Sequence, residues 1–340
     1  MKKAAILGAS GFAGGELIRL LDGHPHFDPV WLIANTASGD EVSSWHSFLS
    51  GSDKRTFISI DALDLNEPDL FVLALPHGES AKIVAKLPEN AKVVDLGADF
   101  RIEDKAKWEK YYSSEHAGSW TYGLPELGTN TQKVINSNKI ANPGCYATAI
   151  ALSLAPIIEN ADLDSISVVA NSGTSGAGRN SSVNANIPAL DIDMYGYKVG
   201  GVHQHIPEIE QSLSKLAKKP VSISFTPILI PIFRGILSVA TAKIPPSVTV
   251  EQVRKWYINS YQNSNFVKLL DVGAQPSTKR VNGTNNCEIQ IEIDKQTNSI
   301  IVTAAIDNLV KGAAGQAIQN ANLLFGYPEE LGLLDIGMPI

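Results

Sequence analysis

Lys3-Ala4-Ala5-Ile6-Leu7-Gly8-Ala9-Ser10-Gly11-Phe12-Ala13-Gly14-Gly15, with Leu17, Leu20 and Leu21 then falling on one helical face, reads as a buried strand, a glycine turn and a helix. Glycines so placed permit a tight turn and let backbone N–H groups approach a pyrophosphate, whose charge the start of the helix stabilises. The spacing GxxGxxG is a variant of the dinucleotide-binding pattern. Its place after a strand and at the opening of a helix makes Gly8, Ser10, Gly11, Phe12 and Gly14 candidate cofactor residues.

Outward from this loop the same texture continues. The short apolar runs VWLIA at 30–34, LFVLA at 70–74 and KVVDL at 92–96 alternate with helical stretches, the second over 78–87, which predicts a parallel βαβ arrangement. Beyond the second run stand Asn35-Thr36-Ala37-Ser38-Gly39. An NAD enzyme of this type usually carries a carboxylate here to hold the ribose 2′-hydroxyl. Its absence makes Thr36 and Ser38 candidate hydroxyl donors to a 2′-phosphate, and NADP the expected cofactor, although Asp40 and Glu41 follow closely and no arginine does. After the third run, Pro76-His77-Gly78 is expected to line the nucleotide cleft.

After about residue 160 the pattern changes. ISVVAN at 166–171, VSISF at 221–225, ILSVATA at 236–242, CEIQIEI at 287–293 and SIIVTAAI at 299–306 are strand runs with partial alternation, Ile289, Ile291 and Ile293 against Gln290 and Glu292. That alternation suits a mainly antiparallel sheet with one wetter face. The last helical stretch, 312–325, is placed to pack back on the first sheet. The expected fold is therefore α/β: a Rossmann-type parallel-sheet domain of residues 1–145 and 309–340, and an α+β catalytic and oligomerisation domain of residues 146–308.

The whole chain sets the outer limits. Its 340 residues, 44% hydrophobic, suffice for two cores, and a net charge of −7 offers no basic field for nucleic acid or an anionic membrane. The apolar run Ala4–Leu7 is too short for a signal-peptide core or a membrane span, so the cytoplasm is the expected location. Two cysteines without CxxC partners predict neither a disulfide framework nor a zinc site.

One of those cysteines has a chemical setting. Asn142-Pro143-Gly144-Cys145 precedes the helical pattern Ile150, Leu154, Ile157, Ile158, placing Cys145 at a helix N-terminus, where unpaired N–H groups favour thiolate over thiol. Cys287 opens an alternating strand and reads as core. A thiolate nucleophile needs a proton relay, and Gly201-Val202-His203-Gln204-His205-Ile206-Pro207-Glu208-Ile209 offers two histidines just ahead of a helix and a carboxylate within it. Either histidine is open as the acid/base from these residues. Arg179 and Arg234, each in a loop flanked by glycine, are candidates for a substrate carboxylate.

Taken together, GASGFAGGEL at 8–17, ALPHGES at 74–80, DLGADFR at 95–101, YGLPEL at 122–127, NPGCYAT at 142–148, SGTSGAGR at 172–179, HQHIPEIEQ at 203–211, PIFRGIL at 231–237 and NLVKGAAGQAIQN at 308–320 resemble the N-acetyl-gamma-glutamyl-phosphate reductases, which are related in fold to aspartate-semialdehyde dehydrogenase. The resemblance implies that Cys145 forms an acyl-enzyme and that His203 is the acid/base, with Tyr197 and Glu208 supporting it and His205 on the substrate side. It places Ser175, Gly176, Asn308, Lys311 and Gly312 near the nicotinamide, Pro76 along the cofactor and Arg101 on the acyl phosphate. Gln204 stands where the family pattern usually has arginine, and Ala147-Thr148 follow Tyr146 where Pro-Thr is common. The implied reaction is NADPH-dependent reduction of a small acyl phosphate to an aldehyde by a homo-oligomer, dimer or tetramer, without nucleic-acid or membrane partners. Aspartate-semialdehyde dehydrogenase and a carrier-linked aminoadipyl or glutamyl phosphate reductase are the neighbouring readings. A non-catalytic NADP-binding protein is the reading from another class, and the presence of both Cys145 and His203 speaks against it.

Overall fold

A computed structural model describes residues 1–49, 53–112, 114–179 and 193–334. The strands of the first sheet are β1 (Lys2–Leu7), β2 (Phe27–Ile33), β3 (Leu70–Leu73), β4 (Val93–Asp95), β5 (Thr121–Tyr122) and β6 (Lys139–Ala141), in the order β2-β1-β3-β4-β6-β5. Every pairing is parallel. The order turns between β1 and β3, and in an open parallel sheet that switch point leaves a ligand crevice beyond the strand C-termini. The glycine loop after β1 and Pro76 after β3 both sit there.

The sequence runs for β1, β3 and β4 fall within a residue or two of the strands. β2 begins at Phe27 rather than at Val30, running through Pro29. Proline cannot donate to a ladder, but β2 stands at the end of the sheet order, where one side needs no partner. β5 and β6 are two and three residues long, too short to register as strand patterns.

The second sheet contains β7 (Ser167–Ser172), β8 (Tyr195–Gly196), β9 (Ser224–Leu229), β10 (Ile236–Lys243), β11 (Val267–Leu269), β12 (Cys287–Asp294) and β13 (Ser299–Ile306), ordered β11-β12-β13-β10-β7-β9-β8. Its pairings are antiparallel except β7 with β9 and β11 with β12. The run expected at 221–225 lies mostly ahead of β9, which continues through Pro227 to Leu229. Phe225, Pro227 and Leu229 supply the buried face, so alternation continues across a residue that read as a breaker.

Against the inner face of this sheet, formed by Val168, Ala170, Ile236, Ala240, Ile289, Val302 and Ala304, packs the helix Cys145–Leu154. That helix is buried from Tyr146 to Leu154, apolar on all sides as a central helix must be. The outer face, with Val169 exposed and Leu237, Val239, Ile301 and Ile228 half-buried, is left uncovered by the described residues.

The last helix runs Gly315–Leu324, after a wide π turn at Val310–Ala314. Ala317, Ile318 and Ala321 join Leu17, Val134 and Ile140 in the first sheet's core, so the chain does return to that sheet. Among the described residues no helix is long and apolar enough to cross a membrane.

Candidate active site

At the switch point the glycines are required by close backbone approach. Gly8 has φ +83°, and a Cβ there would strike the Ala74 carbonyl; one at Gly14 would come within 2.7 Å of the Ala9 Cα. Gly11 caps the helix Phe12–Asp22 in extended conformation, with no side-chain cap and no acidic residue in the first turn. The N–H groups of that turn have no intrahelical acceptor and face an anion site by default. Ser10, Gly11 and Phe12 are partly exposed, and Thr36, Ser38 and Pro76 are exposed around the same crevice. The two nearby carboxylates are engaged elsewhere: Asp40 accepts the Trp45 indole N–H at 2.9 Å, and Glu41 pairs with Lys54 at 3.3 Å. The residues therefore fit a dinucleotide carrying a 2′-phosphate.

Cys145 is the first residue of its helix, behind an extended Gly144. The turn ahead of it is held by side chains from remote parts of the chain. Asn142 accepts from Asn320 at 2.9 Å, and its carbonyl accepts the Arg101 Nε–H at 2.7 Å. The Gly144 N–H donates to Glu208 at 2.8 Å. Two glycines admit close neighbours: a Cβ on Gly144 would lie 2.5 Å from His205 Nε2, and one on Gly312 would lie 2.7 Å from the Cys145 Cβ. The π turn places Gly312 there, its N–H reaching back to the Asp307 carbonyl at 2.9 Å.

The thiol differs from the sequence expectation. Desolvation by the surrounding protein outweighs the N–H groups of Tyr146 and Cys145 and the nearby Arg101 charge, pushing Cys145 up to about 11. The helix start lowers the thiol less than burial raises it, so the resting group is a thiol. Both histidines are neutral for the same reason: burial pushes His203 down to about 2 and His205 well below its ordinary value. His203 Nδ1 accepts the His205 N–H at 3.1 Å, so the neutral ring carries its proton on Nε2. The His203 ring sits 5.0 Å from His205, 5.3 Å from Tyr146 and 5.8 Å from Tyr197.

Several expected roles change with geometry. Tyr197 donates to the Tyr146 hydroxyl at 3.0 Å and not to His203. Glu208 does not bond His203 either; it accepts from Gly144, from the Tyr122 hydroxyl at 2.7 Å and from Arg101 at 3.3 Å. Arg101 is buried, its other donors on the Asn142 and Leu96 carbonyls, which makes it an organiser of the cysteine turn before any contact with an acyl phosphate. Arg234 is engaged by Asp307 at 3.1 Å and by Glu16 of the nucleotide helix, two carboxylates with which a substrate carboxylate would have to compete. Burial alone would raise the Glu16 carboxyl, and the Arg19 and Arg234 guanidinia hold it below its usual range. Lys311 is fully buried, its ammonium committed to Glu126 at 2.6 Å and Gln319 at 2.8 Å. Arg179 lies over the Phe12 ring at the nucleotide loop.

Asn308 and Ser175 do come together, Asn308 Nδ2 donating to the Ser175 hydroxyl at 2.9 Å while Asn308 Oδ1 accepts the Gly235 N–H at 2.7 Å; Gly176 follows Ser175 in the same turn. The sequence reading missed Tyr122, Asn142, Tyr146 and His46 as site residues. Tyr122 and Asn142 lay inside quoted motifs, and only their contacts reveal what they hold.

The comparisons with known proteins converge. Residues 3–135 match the semialdehyde dehydrogenase NAD binding domain, and residues 145–308 match the semialdehyde dehydrogenase dimerisation domain. N-acetyl-gamma-glutamyl-phosphate reductase of Acidothermus cellulolyticus is 46% identical over 99% of this chain and 98% of its own, and that of Frankia casuarinae is 45% identical over 98% of each. In fold, aspartate semialdehyde dehydrogenase II of Vibrio cholerae aligns with a TM-score of 0.71 over 96% of this chain and 98% of its own at 17% identity. The Candida albicans aspartate semialdehyde dehydrogenase solved with NADP aligns at 0.66, with 17% identity over 96% and 98%. With a nucleotide crevice on one sheet and a buried cysteine helix on the other, the chain belongs to the N-acetyl-gamma-glutamyl-phosphate reductases, a family of NAD(P)-dependent semialdehyde dehydrogenases.

Proposed function

We propose that this chain reduces N-acetyl-gamma-glutamyl phosphate to N-acetylglutamate 5-semialdehyde with release of phosphate, a step of arginine biosynthesis, through a thioester on Cys145. The observation that carries the reading is the cysteine turn: Cys145 opens a buried helix, with its N-cap held by Glu208 and its Cβ against Gly312. The glycine loop, Thr36 and Ser38 would hold NADP, with Ser175, Asn308 and Gly312 toward its nicotinamide, and when bound the cofactor would supply a hydride to the thioester carbon.

The chain's own groups account for the rest. Because thiol and imidazole are both neutral at rest, the Cys145 proton passes as sulfur attacks the acyl carbon to His203 Nδ1, the ring's one lone pair, which releases the His205 N–H to receive it. The C–O bond to phosphate breaks, and phosphate leaves with the electron pair. His203 then gives its proton to the oxyanion produced by reduction and takes it back as the C–S bond breaks, releasing aldehyde and returning the proton to sulfur. N–H groups at the helix start stabilise that oxyanion, and removing one such donor typically costs on the order of a hundredfold in rate. His205, against Gly144, lies on the substrate side, and Tyr197 orders Tyr146 beside the nucleophile.

In the same reading, residues 1–145 and 309–340 form the nucleotide domain and 146–308 the catalytic domain. A second copy covers the outer face of the second sheet, for which the family's dimerisation domain and the half-exposed Val239 and Ile301 are the support, and the enzyme works in the cytoplasm.

The deciding measurement is phosphate-dependent NADP reduction with N-acetylglutamate semialdehyde, run beside aspartate semialdehyde and with NAD replacing NADP. Preference for the acetylated substrate and NADP is the expected result. Preference for aspartate semialdehyde would move the substrate, and no turnover with either would overturn the reading.

A further inference from the structure

Partly buried Arg179 differs in its surroundings from Arg101 and Arg234. Arg101 faces Glu208, and Arg234 faces Glu16 and Asp307. Among the described residues Arg179 has no carboxylate partner, and its buried Nε–H has no acceptor. Its guanidinium carbon lies 4.6 Å from the Phe12 ring centroid and 5.8 Å from that of Trp45, and its terminal nitrogen is 3.3 Å from His46 Nδ1.

His46 cannot serve as counter-charge. Its Nε2 is 2.8 Å from the Ala9 carbonyl, which only accepts, so Nε2 carries the proton and Nδ1 presents a lone pair to Arg179. Burial holds His46 neutral and lowers Arg179 as well, with no anion among the described residues to oppose it. Beside this cation stands the start of the helix Phe12–Asp22, itself a centre of positive potential without an acid in its first turn. Two positive elements brought together, one partly desolvated, are repulsive unless an anion joins them. The two aromatic rings hold the guanidinium over the loop; with Nε buried and one terminal nitrogen on His46, the N–H groups left on the two terminal nitrogens can take anionic oxygens.

We propose that Arg179 clamps a phosphate of the dinucleotide against the Gly8–Gly15 loop and does not meet the acyl substrate. The inference rests on the dinucleotide reading above. The shared chemistry is a phosphate, supplied either by the pyrophosphate or by the 2′-phosphate.

The test is titration of the full chain with NADPH and with NADH by calorimetry, for wild type, Arg179→Gln and Arg179→Lys, together with KM for the semialdehyde and a ligand-free melting curve. Arg179→Gln is expected to weaken NADPH binding on the order of 10- to 100-fold while KM for the semialdehyde stays within about twofold. Equal weakening toward NADH places the pyrophosphate on Arg179, and weakening confined to NADPH places the 2′-phosphate there; both uphold the clamp. Unchanged NADPH affinity overturns it, and a raised KM for the semialdehyde in that variant would hand Arg179 to the substrate. If the Gln variant does not fold, Arg179→Lys decides, since an ammonium keeps the charge and loses the fork: NADPH affinity falls several-fold if the clamp is right and is unchanged if it is wrong. Failure of the wild type to bind either dinucleotide overturns the underlying reading instead, and no variant is needed to see it.

Discussion

The Glu208 carboxylate accepts the Gly144 N–H at 2.8 Å, so the residue that precedes the nucleophile is fixed by a side chain from the helix Ile206–Ala217. The same carboxylate faces Arg101, whose Nε–H holds the Asn142 carbonyl two residues further back. Glu208→Gln keeps an acceptor for Gly144 and loses the charge opposite Arg101. Expected are a kcat about 10- to 100-fold lower, unchanged NADPH affinity, and a loss of stability of about 3 kcal/mol for the unpaired buried guanidinium, measured by steady-state kinetics and urea unfolding.

Cys145→Ala is expected to abolish turnover while leaving NADPH binding intact, and mass spectrometry should find no acylated protein. In the wild type, the rate of alkylation by iodoacetamide should keep rising with pH toward about 11 and not level off near the ordinary thiol value of 9.0. A plateau near neutral pH would mean that the helix start prevails over burial.

His203 links stability to acid. Its folded-state value is depressed from 6.5 to about 2, so its contribution is fully present above pH 6.5 and is lost as pH falls toward 2. Between pH 6.5 and 5 the wild type should lose about 2 kcal/mol from this group. His203→Asn should flatten that slope and lower kcat about 100- to 1,000-fold; the same loss confined to His205→Asn would transfer the proton relay to the neighbouring ring.

Gly312→Ala would ordinarily favour a helix by about 1 kcal/mol. Here the added methyl meets the Cys145 Cβ at 2.7 Å, so the expected result is a kcat reduced at least about 100-fold and a changed alkylation rate at Cys145. Normal kinetics in this variant would show that the approach of the two segments is not needed for chemistry.

Lys311→Met should cost about 3–5 kcal/mol of stability by stranding Glu126, with NADPH affinity unchanged. Adding Glu126→Leu should recover much of it. A large loss of NADPH affinity in the refolded single variant would return Lys311 to the cofactor.

What the sequence discloses and what it hides divide along the span of chain over which each is written. The glycine loop and the Pro143-Gly144-Cys145 turn are legible because each pattern is written within eight residues, even though the atoms that require Gly8 and Gly144 belong to the distant Ala74 and His205. The roles of Glu208, Lys311 and Arg234 depend on partners 64, 185 and 218 residues away, and a charge beside a motif reads the same whether it faces substrate or a buried counter-ion. Strand runs were legible where alternation was uninterrupted, as in β10, β12 and β13. They were displaced in β2 and β9, where Pro29 and Pro227 occupy ladder positions that dispense with an N–H.

The wide turn at Val310–Ala314 holds one residue more per turn than a regular helix requires. Deleting a residue here would let the segment rewind to ordinary pitch, and one regular turn would then span nearly the angle that the wide turn spans now. The final helix would keep its apolar stripe on the first sheet, and what would be lost is the widened backbone that sets Gly312 against the cysteine. Chain length across this short stretch is thus under a constraint that composition does not express: the extra residue serves the reacting centre, and the scaffold would stand without it.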